Sequence, residues 1–517
     1  MNFKDKAIFI KNADIQIKNS CQVIIISPGK GVFDYKVNGV VNIGQVVSVP
    51  LRKKIYIGVI IAKGSNNFPP YKLKDIIELY KLPLLPIEIL NFCFWMSDWY
   101  MSDASHVLKM VIPTLNFIIP IKSKQVLKIN NKSIVSPTIL GEKVLQYLKK
   151  TPGLTIKECS KEVKVSDGVI KKLILDQVLF IDDENQKQYK KIIKENIPKL
   201  NQHQLDAVKM IKSISDKDNS SIFLLDGVTG SGKTEIYLEL ISSEIQQGKQ
   251  SLILLPEIAL SKQFIDRFVK RFNFMPAIWH SEISNKEKRK TWQKAINGEV
   301  KVVIGARSAL FLPLSNLSLI VVDEEHDSSY KQEDGVIYNA RDMAVVRGNF
   351  SNSKVILASA TPSLESVHNA NIGKYNRVVL PERFGSAVMP VIKIIDMRKE
   401  KLSSKQWIAK ESTKAIKKAL DNKEQVLLYI NRRGFAPLTL CRSCGYRFQC
   451  VNCSSWLVNH KVMNKMLCHY CGYKESIKNA CPNCESEEDF VPCGPGVERL
   501  AAEAKALFPE AKLEIIA

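Results

Sequence analysis

Ser221-Ile-Phe-Leu-Leu-Asp-Gly-Val-Thr-Gly-Ser-Gly-Lys-Thr-Glu-Ile-Tyr-Leu-Glu-Leu-Ile241 reads as a buried strand, a glycine-rich turn and the opening of a helix. That order is what a phosphate-binding loop needs. Glycines let backbone N–H groups close around phosphate oxygens at a helix N-terminus, where the helix dipole favours anions. Lys233 is then placed to reach the β and γ phosphates, and the Thr234 hydroxyl to join the shell of a Mg²⁺ ion. Gly227, Val228, Thr229, Gly230, Ser231, Gly232, Lys233 and Thr234 are therefore the nucleotide-binding candidates.

Further along, Leu317-Ser-Leu-Ile-Val-Val322 is a second apolar run, and it ends in Asp323-Glu-Glu-His326. Carboxylates at the C-terminal end of such a strand face the crevice that a phosphate-binding loop also faces. Asp323 is the candidate to hold the Mg²⁺ shell and Glu324 to polarise an attacking water, with Lys233 the third catalytic candidate.

A separate chemistry lies nearer the C-terminus. Cys441/Cys444, Cys450/Cys453, Cys468/Cys471 and Cys481/Cys484 are four Cys-x-x-Cys pairs. Each pair turns two sulfurs toward one point, and tetrahedral zinc takes two such turns, so these thiols predict two closed, structural zinc sites. Cys21, Cys93, Cys159 and Cys493 are scattered singly, which favours reduced thiols over a disulfide framework. Adjacent, interleaved and nested pairing of the four turns all supply four sulfurs per metal. His460 and His469 lie close by but are surplus, because cysteines already fill both shells.

The chain has 517 residues, is 45 % apolar and 8 % aromatic, and so is globular and too long for one core. Its formal charge of +23 exceeds what two four-thiolate zinc sites would remove. The surplus favours a polyanionic partner, nucleic acid ahead of a membrane surface. No stretch approaches the ~20 apolar residues of a membrane span, and Met1-Asn-Phe-Lys-Asp-Lys6 leads into no signal-length apolar core. A cytoplasmic protein with no membrane partner is expected. Gln22–Ile26, Val32–Tyr35, Gln45–Val49 and Ile57–Ile61 are short apolar runs separated by turns such as Pro28-Gly29, which predicts a small β-rich domain. Helical stretches at Leu140–Lys149, Thr155–Val163 and Ser166–Leu173, then a hydrophobic strand pair, predict a winged helix suited to duplex DNA. Lysine-rich Gln186–Lys199 reads as a linker.

Gly227–Thr234, Asp323–His326, Ser359-Ala-Thr-Pro362 and Gln204 in Leu200-Asn-Gln-His-Gln204 together resemble superfamily 2 helicases. Leu254-Leu-Pro-Glu-Ile-Ala-Leu260, Trp279-His-Ser281, Gly305-Ala-Arg-Ser-Ala309, Asp323–Lys331 and Asn431-Arg-Arg-Gly-Phe435 look more closely like the PriA family, bacterial primosomal helicases that restart stalled replication. The resemblance covers essentially the whole chain. It implies an ATP-dependent DNA helicase that moves 3′ to 5′, recognises forked DNA and initiates primosome assembly. It also implies that Gln204 contacts adenine, that Ser359–Thr361 couples hydrolysis to movement between two RecA-like lobes, and that Gly305–Ser308, with Arg307, lies on the DNA backbone. Ser328–Arg341 resembles the family's aromatic-rich loop, whose tyrosines, here Tyr330 and Tyr338, would stack on bases while Lys331 and Arg341 neutralise phosphate. Phe33-Asp34-Tyr35 matches the family's pocket for a nascent-strand 3′ end. Tyr35 or Phe33 would stack on the last base, Asp34 would accept a bond from the 3′ hydroxyl, and Lys74 would meet phosphate. The family's glycine-containing turn after Val-Pro is replaced by Val49-Pro-Leu-Arg52. For the cysteines, the resemblance implies nesting, with Cys450, Cys453, Cys468 and Cys471 as the inner site and Cys441, Cys444, Cys481 and Cys484 as the outer one.

The implied fold is multidomain α/β: a β-rich domain binding DNA 3′ ends (1–112), a winged helix (113–185), a basic linker (186–198), a RecA-like P-loop lobe (199–382) and the start of a second lobe (383–517). The zinc-binding insertion (438–490) follows a predicted strand at Gln425–Ile430. The implied cofactors are ATP, Mg²⁺ and two zinc ions. The implied partners are forked and single-stranded DNA, primosome and helicase-loading proteins, and single-strand-binding protein. After Cys493-Gly-Pro-Gly-Val-Glu-Arg-Leu500 the family's second lobe continues to an arginine that completes the ATP site, whereas this chain stops at Ala517 on a predicted strand, Lys512–Ala517. A truncated second lobe is therefore expected, binding ATP and forked DNA but hydrolysing and unwinding poorly. The competing readings are a catalytically weak fork-binding protein and a nucleic-acid translocase that does not separate DNA strands.

Overall fold

The structure is a computed structural model that describes residues 10, 16–26, 31–65, 70–119, 125–130, 138–151, 153–183, 199–215, 222–256, 262–384, 390–397, 400, 406–430, 438–441, 443–453, 455–460, 465–468, 470–476, 478, 480–487, 490–493 and 497–516. Pro28-Gly29, residues 257–260, the linker 186–198, Asn431–Phe435, His469 and the His460 side chain lie outside them. The chain divides into two compact units, Met1–Val388 and Met389–Ala517.

The first unit opens with an antiparallel sheet of Ile17–Ile25 (β1), Val32–Val41 (β2), Val46–Leu51 (β3), Lys54–Lys63 (β4) and Glu78–Leu79 (β5), in the order β2-β1-β4-β3-β5. Leu51 pairs with Lys54, so only Arg52 and Lys53 turn the β3–β4 hairpin. Arg52 takes φ 55°, the left-handed conformation that glycine adopts most cheaply in such turns. Ile87–Trp99 (α1) and Ala104–Val111 (α2) follow, two helices that the β-rich expectation did not contain. α1 buries Ile89, Leu90, Phe92, Cys93, Phe94 and Met96, more than one stripe, which makes it a core helix with weak amphipathic periodicity.

Gln125–Ile129 (β6), Ile139–Lys150 (α3), Ile156–Val163 (α4), Asp167–Leu175 (α5) and Leu179–Asp183 (β7) form a module with its own core around Val144, Leu148, Cys159, Ile170 and Leu173. Thr155 and Glu158 start α4 with a reciprocal capping box. The strand pair differs from expectation: β7 pairs antiparallel with β6, which precedes the helices and buries Leu127 in their core.

The rest of the first unit is built from Gln202–Ser215 (α6), Ile222–Gly227 (β8), Lys233–Gln246 (α7), Gln250–Leu254 (β9), Lys262–Phe272 (α8), Ala277–Trp279 (β10), Asn285–Ile296 (α9), Val302–Gly305 (β11), Leu317–Asp323 (β12), Lys331–Gln332 (β13), Tyr338–Asn339 (β14), Ala340–Ser351 (α10), Lys354–Ser359 (β15), Leu364–Asn371 (α11) and Asn376–Leu380 (β16). Seven strands form a parallel sheet ordered β10-β11-β9-β12-β15-β8-β16. Helices cover both faces, so β8, β12 and β15 read as continuous apolar runs.

One hydrophobic core runs from the N-terminal sheet through α1 and α2 into this lobe. Phe92 of α1 meets Phe311 with ring centroids 5.7 Å apart, and the Trp292 indole of α9 donates to the Val111 carbonyl at 2.7 Å. Residues expected as separate domains, 1–112 and 199–382, are thus packed as one body. Arg347 of α10 is buried beneath α1 and donates to the carbonyls of Leu310 and, at 2.7 Å, Leu312.

In the second unit, Lys410–Asp421 (α12) and Val497–Leu507 (α13) pack through Ile408, Ile416, Leu420, Leu500, Ala504 and Phe508. Leu438–Cys441 (β17) pairs with Phe490–Cys493 (β21), and between them Val458–His460 (β18), Lys465–Leu467 (β19) and Lys474–Ser476 (β20) form a small sheet. The predicted strands Gln425–Ile430 and Lys512–Ala517 make no ladder among the described residues. Their apolar side chains stay in solvent, with Leu427 82 % and Ile516 93 % exposed. An apolar run alone does not make a strand, which exists through hydrogen bonds to a neighbour.

Trp292 is fully buried against the N-terminal domain. Trp292→Ala should therefore cost about 3–5 kcal/mol, the usual loss for a large buried aromatic. A urea titration of the whole chain followed by circular dichroism should show the first unit unfolding at lower denaturant.

Candidate nucleotide-binding site and its neighbours

β8 delivers Gly227–Thr234 to the C-terminal edge of the parallel sheet, and α7 begins at Lys233. Gly230 and Gly232 have φ of 82° and 81°, and a Cβ at Gly232 would sit 2.2 Å from the Gln204 amide nitrogen. Both positions therefore require glycine. Gln204 is 1 % exposed and bonds reciprocally with Asn201: Asn201 N–H donates to its Oε1, and its own N–H donates to Asn201 Oδ1, each at 2.9 Å. Its Nε2 donates to the Ser231 carbonyl at 2.8 Å, tying the start of α6 to the loop. The amide expected to contact adenine makes these bonds while lining the cavity.

The Lys233 ammonium folds back into the loop and donates to the Gly227 carbonyl at 2.7 Å. Burial lowers its pKa, opposed by Glu324, Asp323 and Asp226. Glu235 lies behind the loop, held by Arg267 and Arg271, and Arg271 also donates to Glu239 at 2.6 Å. Gln204, Thr229, Lys233, Thr234, Asp323, Glu324 and Phe384 are among the residues that line a cavity of about 550 Å³. Phe384 is anchored there by its backbone N–H, which donates to the Gly230 carbonyl at 2.8 Å.

Asp323 ends β12 in this cavity. Its Oδ2 accepts from the Tyr237 hydroxyl at 2.9 Å and its Oδ1 from the Glu324 N–H at 3.1 Å. Burial raises the Asp323 pKa, partly offset by the bond from Tyr237. Burial and the Asp323 charge hold the Tyr237 phenol far above its usual value, so it remains a donor. Glu324 has φ 48°, a left-handed conformation uncommon for a non-glycine residue and typical of functional turns. Thr234 and Asp323 offer the hydroxyl and carboxylate that a hard Mg²⁺ ion takes, so the residues fit that cation.

Glu325 points the other way. It is 1 % exposed, accepts from the Ser363 N–H at 2.6 Å and from the Ser363 and Ser366 hydroxyls, and faces Arg341 at 3.4 Å. Together with His326 Nδ1 against the Ser359 hydroxyl at 2.8 Å, this joins the carboxylate box to the Ser359–Ser363 segment.

Several residues expected on DNA are placed otherwise. Tyr330 is 1 % exposed and its hydroxyl donates to the carbonyls of Leu254 and Asp323, so its ring has no face left for a base. Tyr338 is buried against Phe311. Arg341 is 8 % exposed and bonded to Asp342, Glu325 and Ser363, which removes it as a phosphate contact. Arg307 is half-buried and donates to the carbonyls of Ser329 and Lys331, while Lys331 stays exposed beside Glu333. In the N-terminal domain, Tyr35 is a core residue whose hydroxyl reaches the Pro50 carbonyl, so of the two stacking candidates only half-buried Phe33 keeps an open face. Asp34 accepts from the Ser65 N–H and hydroxyl at 2.8 and 2.5 Å. Exposed Lys74 lies beside it in the fold, its carbonyl accepting from the Lys36 N–H.

The cysteines gather into two clusters, Cys441/Cys444/Cys481/Cys484 and Cys450/Cys453/Cys468/Cys471, with each set of sulfurs within 4.8 Å of one another. Nesting, left open by the spacing alone, is the arrangement found. Within each cluster, S···S distances of 3.3 to 3.7 Å between its two Cys-x-x-Cys turns are close to the edge of a tetrahedron around zinc, and the described cysteines form no disulfide. Asn452 and Asn483 N–H groups donate to the Cys450 and Cys481 sulfurs.

A DEAD/DEAH box helicase model matches residues 201–370, a PriA 3′ DNA-binding domain model matches 22–113, and a PriA DNA helicase Cys-rich region model matches 450–475. The replication restart protein PriA of Bacillus subtilis is 31 % identical over 584 residues, covering 96 % of this chain and 72 % of that protein. Its counterpart in Chlamydia trachomatis is 33 % identical over 520 residues, covering 95 % and 69 %. The chain belongs to the PriA family. A PriA of Rickettsia conorii is 42 % identical over 478 residues, covering 92 % of this chain but only 63 % of its own length, so the chain spans less than two thirds of that PriA relative.

Sequence reasoning missed Tyr237, Glu325 and the Glu235–Arg267–Arg271 group. Tyr237 lies one helical turn after Thr234, a spacing that places both on one face of α7 and was the available signal.

Arg341→Met should destabilise the chain by about 3–5 kcal/mol, because Glu325 would be left as a buried, unpaired charge. A phosphate-contacting arginine would instead change DNA affinity with no shift in the unfolding midpoint. For the clusters, metal analysis of the purified chain should find two zinc ions, and Cys450→Ser should lose one of them, since each cluster closes its own tetrahedron.

Proposed function

We propose that this chain carries the ATP-driven, DNA-recognising chemistry of a replication restart helicase, using Lys233, Thr234, Asp323 and Glu324 on ATP and Mg²⁺. The observation that carries the reading is the meeting of the Gly227–Thr234 loop and the Asp323–Glu324 pair in one cavity at the same edge of a parallel sheet. Loop N–H groups would cradle the phosphates, and Lys233 would leave the Gly227 carbonyl to neutralise the transferred phosphoryl group. Glu324 would orient the attacking water, while Mg²⁺ held by Thr234 and Asp323 would offset phosphate charge. Gln204, which lines the same cavity, would contact adenine.

DNA is the proposed polyanion. The match of residues 22–113 to a 3′ DNA-binding domain and the charge of +23 support it. Phe33, Asp34 and Lys74 are the proposed contacts for a 3′ end, and Arg307 and Lys331 for the strand passing the ATP lobe. Translocation from 3′ to 5′, primosome assembly with helicase-loading and single-strand-binding proteins, and a cytoplasmic setting are proposed on family membership. No helix among the described residues is long and apolar enough to cross a membrane. The nested clusters are proposed to hold two zinc ions as structural cross-links.

ATPase and nucleotide-binding assays with forked DNA test this. Lys233→Ala should reduce hydrolysis by roughly 10²-fold or more, as loss of a group facing developing charge does. Glu324→Gln should bind nucleotide and fail to turn it over. Unchanged turnover in both variants would refute the assignment.

A further inference from the structure

The Asp323 carboxylate is held at both oxygens, and one of the two donors is a side chain with no part in the phosphate loop. Tyr237 is fully buried, its ring packed in the core beside Ile236, Leu240 and Ile241, and its hydroxyl crosses from α7 to Asp323 Oδ2 at 2.9 Å. Thr234, the other residue that offers an oxygen to Mg²⁺, lies one turn earlier on the same face of α7. Tyr237 thus links the helix that carries Thr234 to the Asp323 carboxylate of β12, joining the two elements that offer oxygens to Mg²⁺. A phenylalanine would fill the same core volume, so packing does not explain the hydroxyl, whereas a buried phenol needs a partner.

We propose that Tyr237 is a positioning residue for the Mg²⁺ shell: its hydroxyl fixes the Asp323 carboxylate against the Thr234 hydroxyl so that both face the cation together. This rests on the nucleotide-site reading above. An aspartate's terminal torsion is broad and roughly two-fold, so without a donor on Oδ2 the carboxylate can turn away from the phosphate loop. Partners that orient a ligand in this way typically change metal affinity by about 10–100-fold when removed. Tyr237 touches neither nucleotide nor metal, and its effect should be confined to steps that need the cation.

The test is equilibrium binding of a fluorescent ATP analogue to the whole chain, first in EDTA and then with graded Mg²⁺. In Tyr237→Phe the Mg²⁺ concentration giving half of the metal-dependent tightening should rise roughly tenfold, while affinity in EDTA and the circular dichroism spectrum stay unchanged. In an Asp323→Ala background, adding Tyr237→Phe should produce no further shift. A half-point within twofold of wild type, or a full further shift in the Asp323→Ala background, would overturn the role assigned to Tyr237. Failure of the wild-type chain to bind nucleotide in a Mg²⁺-dependent way would instead reject the underlying nucleotide-site reading.

Discussion

The parallel pairing of β8, β15 and β12 is the constraint on which the site depends. Ser359 stands opposite Asp226, and Asp323 opposite Ala358, so three segments leave the sheet at one edge: the phosphate loop, the carboxylate box and the Ser359–Ser363 turn. An antiparallel β12 would send Asp323 to the far edge with the same local sequence. The register therefore does what no single motif does, which is to bring residues distant in the chain to one cavity.

Behind that edge, buried charges hold the pieces in fixed relation. Glu325 with Arg341, Ser363 and Ser366 ties the carboxylate box to the turn after β15, and Glu235 with Arg267 and Arg271 ties α7 to α8. Such groups are costly to bury unless they are paired and hydrogen-bonded, which makes the geometry they hold narrow. Tyr330 adds a third tie by bonding the carbonyls of both Leu254 and Asp323. A displacement of the segment carrying Tyr330 and Arg341 must break these bonds, two of which end in the carboxylate box, at Asp323 and Glu325.

The phosphate loop and the carboxylate box were legible in the sequence because backbone demands single out their residue types: glycines at φ near 80° and acids after an apolar strand. The zinc turns were legible as pairs, but their nesting is a matter of long-range closure that spacing leaves open. Tyr35, Tyr330, Tyr338 and Arg341 were misread for one reason. Tyrosine and arginine combine a large apolar body with a polar tip, and the same side chain serves a DNA surface or a core, depending on whether a buried carbonyl or carboxylate lies within reach. The shared core of the N-terminal sheet and the ATP lobe was illegible for a related reason. α1 is apolar on more than one side, and only packing shows that one side belongs to α10.

The zinc-binding insertion shows the opposite economy. Its inner cluster is surrounded by few buried apolar residues, among them Phe448, Leu457 and Met466, and its strands are three residues long. Segments so short cannot repay chain entropy by burial alone, and small modules of this kind rely on cross-links. Two nested tetrahedra close the loop at successive levels: the inner pairs Cys450/Cys453 and Cys468/Cys471 first, then the outer pairs that bring β17 against β21. Metal affinity in such a module is folding free energy, so removing the ligands of one site loosens the insertion itself. The cavity at the phosphate loop is lined by residues of the other compact unit, which contains neither cysteine cluster.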